Sequence, residues 1–131
     1  MVTRINAADW EESVSNSERP VVVDFWRPGC AWCRKLESIY DDLDSKFVTA
    51  DFFKFDISDG LENMRLSQRF GIIGTPTIKI FCGGAETGEL IGFAEKLTLR
   101  KDIKDVIENN KKCKKVYDQY SEVPGDMRKT G

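Results

Sequence analysis

Apolar and polar positions along the chain alternate between two rhythms. Thr3 to Ile5 reads as a short edge strand, and Ala7 to Ser15 as a helix that buries Trp10 and Val14 at i, i+4 spacing. "PVVVDFW", residues 20 to 26, is an unbroken run of β-branched and aromatic residues, the pattern of a strand covered on both faces. From about Ala31 to Phe47, the residues Leu36, Ile39, Tyr40, Leu43 and Phe47 recur at helical spacing among charged residues. Phe52 to Ile57 reads as a further strand, and Leu61 to Phe70 as a shorter helix ending before Gly71.

In the second half "TIKIF" (77 to 81) and "ELIGF" (89 to 93) form two strands, with "GGAETG" between them as the turn of a hairpin. Leu99, Ile103, Val106, Asn110, Cys113, Tyr117 and Tyr120 then fall on one face of a last helix, expected from near Thr98 until just before Pro124. The closing "PGDMRKTG" lacks apolar periodicity and reads as a tail. The order βαβαβαββα predicts an α/β fold, a central mixed sheet with helices on both faces. No repeat, low-complexity block or interdomain linker interrupts it.

Composition narrows the function. The 131 residues suffice for one core without staples. Hydrophobic residues make up 40% and charged residues 32%, and a net charge of -2 gives no general attraction to nucleic acid. The N-terminus has no apolar stretch resembling a signal-peptide core and no segment suits a bilayer, so the expectation is a cytoplasmic protein with no membrane partner. The lysines of "KKCKK" (111 to 115) read as a solvated helix end.

Four cysteines carry the candidate chemistry. Cys30 and Cys33 stand two residues apart where the apolar strand gives way to a helix, so Cys30 lies near unpaired N–H groups and the positive end of the helix dipole. That setting favours a thiolate nucleophile, with a second thiol one helical turn along to displace a mixed disulfide. The alternative is half of a zinc site, which ordinarily needs a second close pair or histidines; the other cysteines, Cys82 and Cys113, are far apart and the chain has no His. In a reducing compartment Cys82 and Cys113 are expected to be buried free thiols. Asp24, inside the apolar strand, is costly to bury as a charge, so its pKa should be raised and it can exchange a proton with Cys33.

"VVVDFWRPGCAWCRK" resembles the strand and active-site signature of the thioredoxin family, "FGIIGTPTIKIF" its cis-proline signature, and "GFAEK" (92 to 96) the loop that closes its active-site surface. The likeness covers about residues 3 to 112, which sets the expected domain at 1–112 with 113–131 as an extension of the last helix and a mobile tail. It implies the thioredoxin fold, with Cys30 attacking, Cys33 buried and resolving, and Asp24 as the proton acceptor. It also implies a cis bond at Thr75-Pro76, where a client strand can pair, with Trp26, Trp32 and Gly92 as further contacts. No cofactor is implied beyond the redox-active Cys30–Cys33 disulfide, and no metal.

The departures are as specific. Ala31-Trp32 replaces the usual Gly-Pro between the cysteines, Gly29 the tryptophan before them, and Ser38 the helix-kinking proline. A lysine that accompanies the buried aspartate from the third strand is read as replaced by Phe52. The reading is a monomeric protein disulfide reductase with disulfide-containing clients and a thioredoxin-reductase-type electron donor. A disulfide isomerase or oxidant is the alternative that the Ala-Trp dipeptide raises, and a metal or iron–sulfur module using the C-x-x-C pair is a third.

Overall fold

A computed structural model describes residues 2–110 and 113. Five strands, β1 (Thr3–Arg4), β2 (Val21–Trp26), β3 (Asp51–Asp56), β4 (Thr77–Cys82) and β5 (Ala85–Ile91), form one sheet in the order β1-β3-β2-β4-β5. β1, β3 and β2 run parallel, while β4 and β5 are antiparallel to their neighbours. Among the described residues three α-helices, α1 (Ala31–Leu43), α2 (Leu61–Arg69) and α3 (Lys96–Asn109), pack with the sheet.

The side-chain alternation of the strands divides the core in two. Val22, Phe52, Ile78 and Ile80 meet Leu36, Tyr40 and Leu43 of α1 and Leu99, Ile103 and Ile107 of α3 on one face. Val21, Val23, Phe25, Phe55 and Phe81 meet Trp10, Val14 and Leu66 on the other. Covering both faces of β2 is what permits its near-continuous apolar run. The expected helix over 7 to 15 is instead a 3₁₀ turn, Ala7–Asp9, followed by a π-helical turn, Glu11–Ser15, yet Trp10 and Val14 are buried as predicted. α1 closes through a 3₁₀ turn, Asp44–Lys46, that delivers Phe47 to the core.

The hairpin departs from expectation. Its turn is Gly83-Gly84 alone, with φ of 62° and 83°, the left-handed pair that a two-residue turn requires. A Cβ on Gly84 would come within 2.7 Å of the Ser15 carbonyl oxygen. "AET", expected in the turn, starts β5 because Lys79 is buried and needs carboxylates across the hairpin, which Glu86 and Glu89 supply at 2.8 and 2.9 Å. β5 then stops at Ile91, because Gly92 turns away with φ of 88° and its N–H donates to the Pro76 carbonyl at 2.8 Å.

Two corrections fall at the end of the chain. α3 does not run on as one helix: Asn110 is extended, and its Oδ1 accepts from the Cys113 main-chain N–H at 3.0 Å, as a helix N-cap does. That break brings Cys113, buried and helical, beside Cys82 of β4. Their Cα atoms are 5.1 Å apart and the two form a disulfide, so they are not the free thiols expected from sequence. The tail and the predicted placement of Tyr117 and Tyr120 lie outside the described residues.

Candidate active site

The C-terminal end of the central strand β2 and the start of β4 lie together at one end of the sheet, and the chemistry gathers there. After β2, Gly29 takes a left-handed φ of 81° and reverses the chain so that Cys30 stands at the N-cap of α1. The Cys30 sulfur accepts from the Cys33 N–H at 3.1 Å, which occupies a helix-end donor that would otherwise lack a partner. Cys30 and Cys33 are joined as a disulfide, with Cα atoms 5.2 Å apart.

Exposure does not separate the two thiols, at 7% for Cys30 and 5% for Cys33; their surroundings do. Cys30 Sγ lies 3.6 Å from the Thr75 carbonyl oxygen, and the Thr75-Pro76 bond is cis. Thr75 and Pro76 join Trp32, Gly92 and Phe93 around an open groove of about 310 Å³. Trp32 is 54% exposed, its ring centroid is 5.5 Å from that of Phe93, and Lys35 Nζ lies 4.9 Å above it. Phe93 was missed in the sequence because it reads as the end of a strand that stops two residues earlier.

Cys33 lines a separate cavity of about 330 Å³ together with Asp24, Trp26, Gly29, Arg34 and Lys54, among others. Trp26 therefore belongs to this side rather than to the groove, and the Arg4 guanidinium lies 5.0 Å over its ring. Asp24 is buried, lines the same cavity as Cys33, and its Oδ1 has no hydrogen-bond partner within the protein. Burial pushes its pKa up to about 7; Lys54 opposes that rise, and Asp41 and Glu37 add to it.

Lys54 corrects the sequence reading. The aspartate does have a lysine on the third strand, because the β2–β3 register sets Asp24 opposite Lys54 and Phe52 opposite Val22. Phe52 and Lys54 share a face of β3, so spacing alone could not choose between them, whereas the register does. Lys54 Nζ reaches Glu37 Oε2 at 3.0 Å and Asp41 Oδ1 at 3.1 Å on α1. Burial lowers the Lys54 pKa, but these two contacts more than offset it and leave the group above its ordinary range.

Among the described residues no group of three or more His, Cys, Asp or Glu side chains could hold a metal ion, so nothing supports the metal-module reading. No described helix is long and apolar enough to cross a membrane.

A mixed sheet with helices on both faces, a C-x-x-C disulfide at the start of a helix and a cis-proline beside it together define the thioredoxin fold with its dithiol site. The family model described as thioredoxin matches residues 1–105, and the chain belongs to the thioredoxin family. It is 36% identical over 102 residues to the chloroplastic thioredoxin M4 of Arabidopsis thaliana, an alignment covering 78% of this chain and 52% of that protein. It is 32% identical to the thioredoxins of Griffithsia pacifica and of Synechocystis sp., covering 75% and 73% of this chain and 88% of each relative. The chain thus spans about half the length of the chloroplastic relative and most of the other two.

Proposed function

We propose that the protein reduces protein disulfides by dithiol–disulfide exchange, and that the different surroundings of its two thiols divide the labour. The Cys30 thiolate, on the groove side, attacks one sulfur of a client disulfide. The client S–S bond breaks, a mixed disulfide forms, and the departing client thiolate takes a proton from solvent. Asp24, on the cavity side, then accepts the Cys33 proton, and the resulting thiolate attacks Cys30 Sγ. The mixed disulfide breaks, the second client thiolate leaves, and the Cys30–Cys33 disulfide closes, two electrons having passed to the client. A thioredoxin-reductase-type donor must return them.

The observation carrying this reading is that asymmetry: Cys30 beside Thr75 and Pro76, Cys33 beside Asp24. A client strand laid against Thr75 and Pro76 would meet Trp32, Gly92 and Phe93, and Trp26 would act on the proton-transfer side. The working unit is residues 1–112 together with Cys113, which the bond to Cys82 fastens to the core, acting as a monomer in a reducing compartment, the cytoplasm in our reading. Cell fractionation and the mass of the purified protein in solution check both points. The Ala-Trp dipeptide between the cysteines, where the turn sets the thiol pKa values and hence the potential, raises isomerase or oxidant chemistry as a second reading, which a measured reduction potential separates from the first.

Mixed-disulfide trapping tests the division of labour. Cys33→Ser should arrest the reaction with clients held covalently through Cys30, while Cys30→Ser should trap far fewer. Mass spectrometry of the trapped species names the clients and any reductase. Equal trapping by the two variants would overturn the assignment.

A further inference from the structure

Four features of the cavity side fall into one pattern. Cys33, Glu37 and Asp41 stand four residues apart on α1, so they form a single stripe along the helix. Opposite that stripe lie Asp24 and Lys54, paired in register on adjacent parallel strands. Two carboxylates at i, i+4 repel each other, and a cation between them relieves the repulsion. Lys54 is that cation, with 16% of its side chain exposed, while Glu37 and Asp41 keep 59% and 45%.

The charge count then differs from that of a simple aspartate–lysine couple. Were Lys54 free, Asp24 and Lys54 would make a neutral pair across the register. With two solvent-reachable carboxylates already bound to the ammonium, Asp24 is the surplus acid of a cluster holding three carboxyls and one amine. The other charged or titratable groups that face Asp24 are Cys33 and the buried Tyr40 of α1, with Arg27 and Arg34 on the cavity wall.

We propose that Glu37 and Asp41 are positioning residues for the acid–base step, acting through Lys54: by holding its ammonium against α1, they withhold a free cation from Asp24. The inference rests on the reading of Asp24 as the proton acceptor for Cys33. It adds that the acceptor is set from the helix carrying the resolving thiol, so that Asp24 can take a proton near neutrality and give it back when the disulfide is reduced again.

Carboxyl NMR titration of Asp24 in the full chain tests this, beside the pH profile of mixed-disulfide resolution. In Glu37→Gln/Asp41→Asn the Asp24 midpoint should fall by about one pH unit or more, a tenfold change in its protonated fraction relative to carboxylate. The acidic limb of the resolution profile should move the same way. Lys54→Met alone should raise the midpoint. In the Lys54→Met background the Glu37 and Asp41 changes should still lower it, because their own charges repel the Asp24 carboxylate, but by less than half as much, since the part exerted through Lys54 is gone. An unmoved midpoint in the folded double variant, or an equal fall with Lys54 absent, overturns the proposal. Glu37 and Asp41 are half-exposed, so the single variants Glu37→Gln and Asp41→Asn keep the test open should the combined variant fail to fold. If Asp24→Asn resolves mixed disulfides as fast as wild type, the proton-acceptor reading fails instead, and the NMR midpoints still decide whether the cluster sets the Asp24 titration.

Discussion

Asp24 concentrates the cost of the site in one side chain. A carboxyl whose pKa rises from 3.8 to about 7 on folding binds its proton more tightly in the folded state. Between those values the folded protein is protonated at Asp24 where the unfolded chain is ionised, so the Asp24 contribution to stability is most favourable below about pH 4, falls as pH rises through that window and levels off above about 7. At roughly 1.4 kcal/mol per pKa unit the penalty at pH 8 is on the order of 4 kcal/mol. Asp24→Asn should therefore be more stable than wild type at pH 8, should lose that gain toward pH 4, and should slow the resolving step by about tenfold or more. Urea melts across this pH range, paired with single-turnover reduction, measure both. Equal stability and equal rate at every pH would mean that Asp24 is neither buried in solution nor the acceptor.

At the scale of elements, sequence reading succeeded where one residue type has one reason to be present. The β-branched run of β2, the apolar stripe of α1 and the cysteines at its start were legible because burial and helix capping act locally. It failed where a partner distant in sequence decides. "AET" looks like turn chemistry until Lys79 is known to need two carboxylates across the hairpin, and Asn110 looks like one more position on a helical face until its side chain caps the Cys113 N–H. Lys54 was passed over because only strand register, a property of two segments, sets it opposite Asp24. The Cys82–Cys113 disulfide was unreadable for the same reason. It closes a separation of 31 residues, and under oxidising conditions a chain-entropy argument gives it about 3.7 kcal/mol. Cys113→Ala should lower the melting temperature by about 10 °C or more under oxidising conditions, and that gap should close in reductant, which opens the Cys30–Cys33 disulfide in both proteins. Identical melting curves would show that the pair is not oxidised in solution.

For the molecule as a whole, β4 sets the two disulfides far apart. Thr77 begins the strand beside Pro76 and the groove, and Cys82 ends it at the bond to Cys113, about 17 Å away at ordinary strand rise. They should behave as independent centres. Cys30→Ser or Cys33→Ser should abolish turnover in a dithiol-driven protein disulfide reduction assay, and Cys82→Ser or Cys113→Ser should retain most of it at temperatures where the fold persists. A folded Cys82→Ser protein with no turnover would refute the two-cysteine mechanism.

The hairpin has a further effect on how copies of the chain meet. β5 is an outer strand of the sheet and seven residues long, the kind of border along which two molecules can zip their backbones together. Glu86 and Glu89 stand on that border, each about one-third exposed, because burying Lys79 placed them there. The same two carboxylates that neutralise an interior lysine therefore present an acidic rim to any second copy approaching edge to edge, and a folding requirement becomes a safeguard against aggregation.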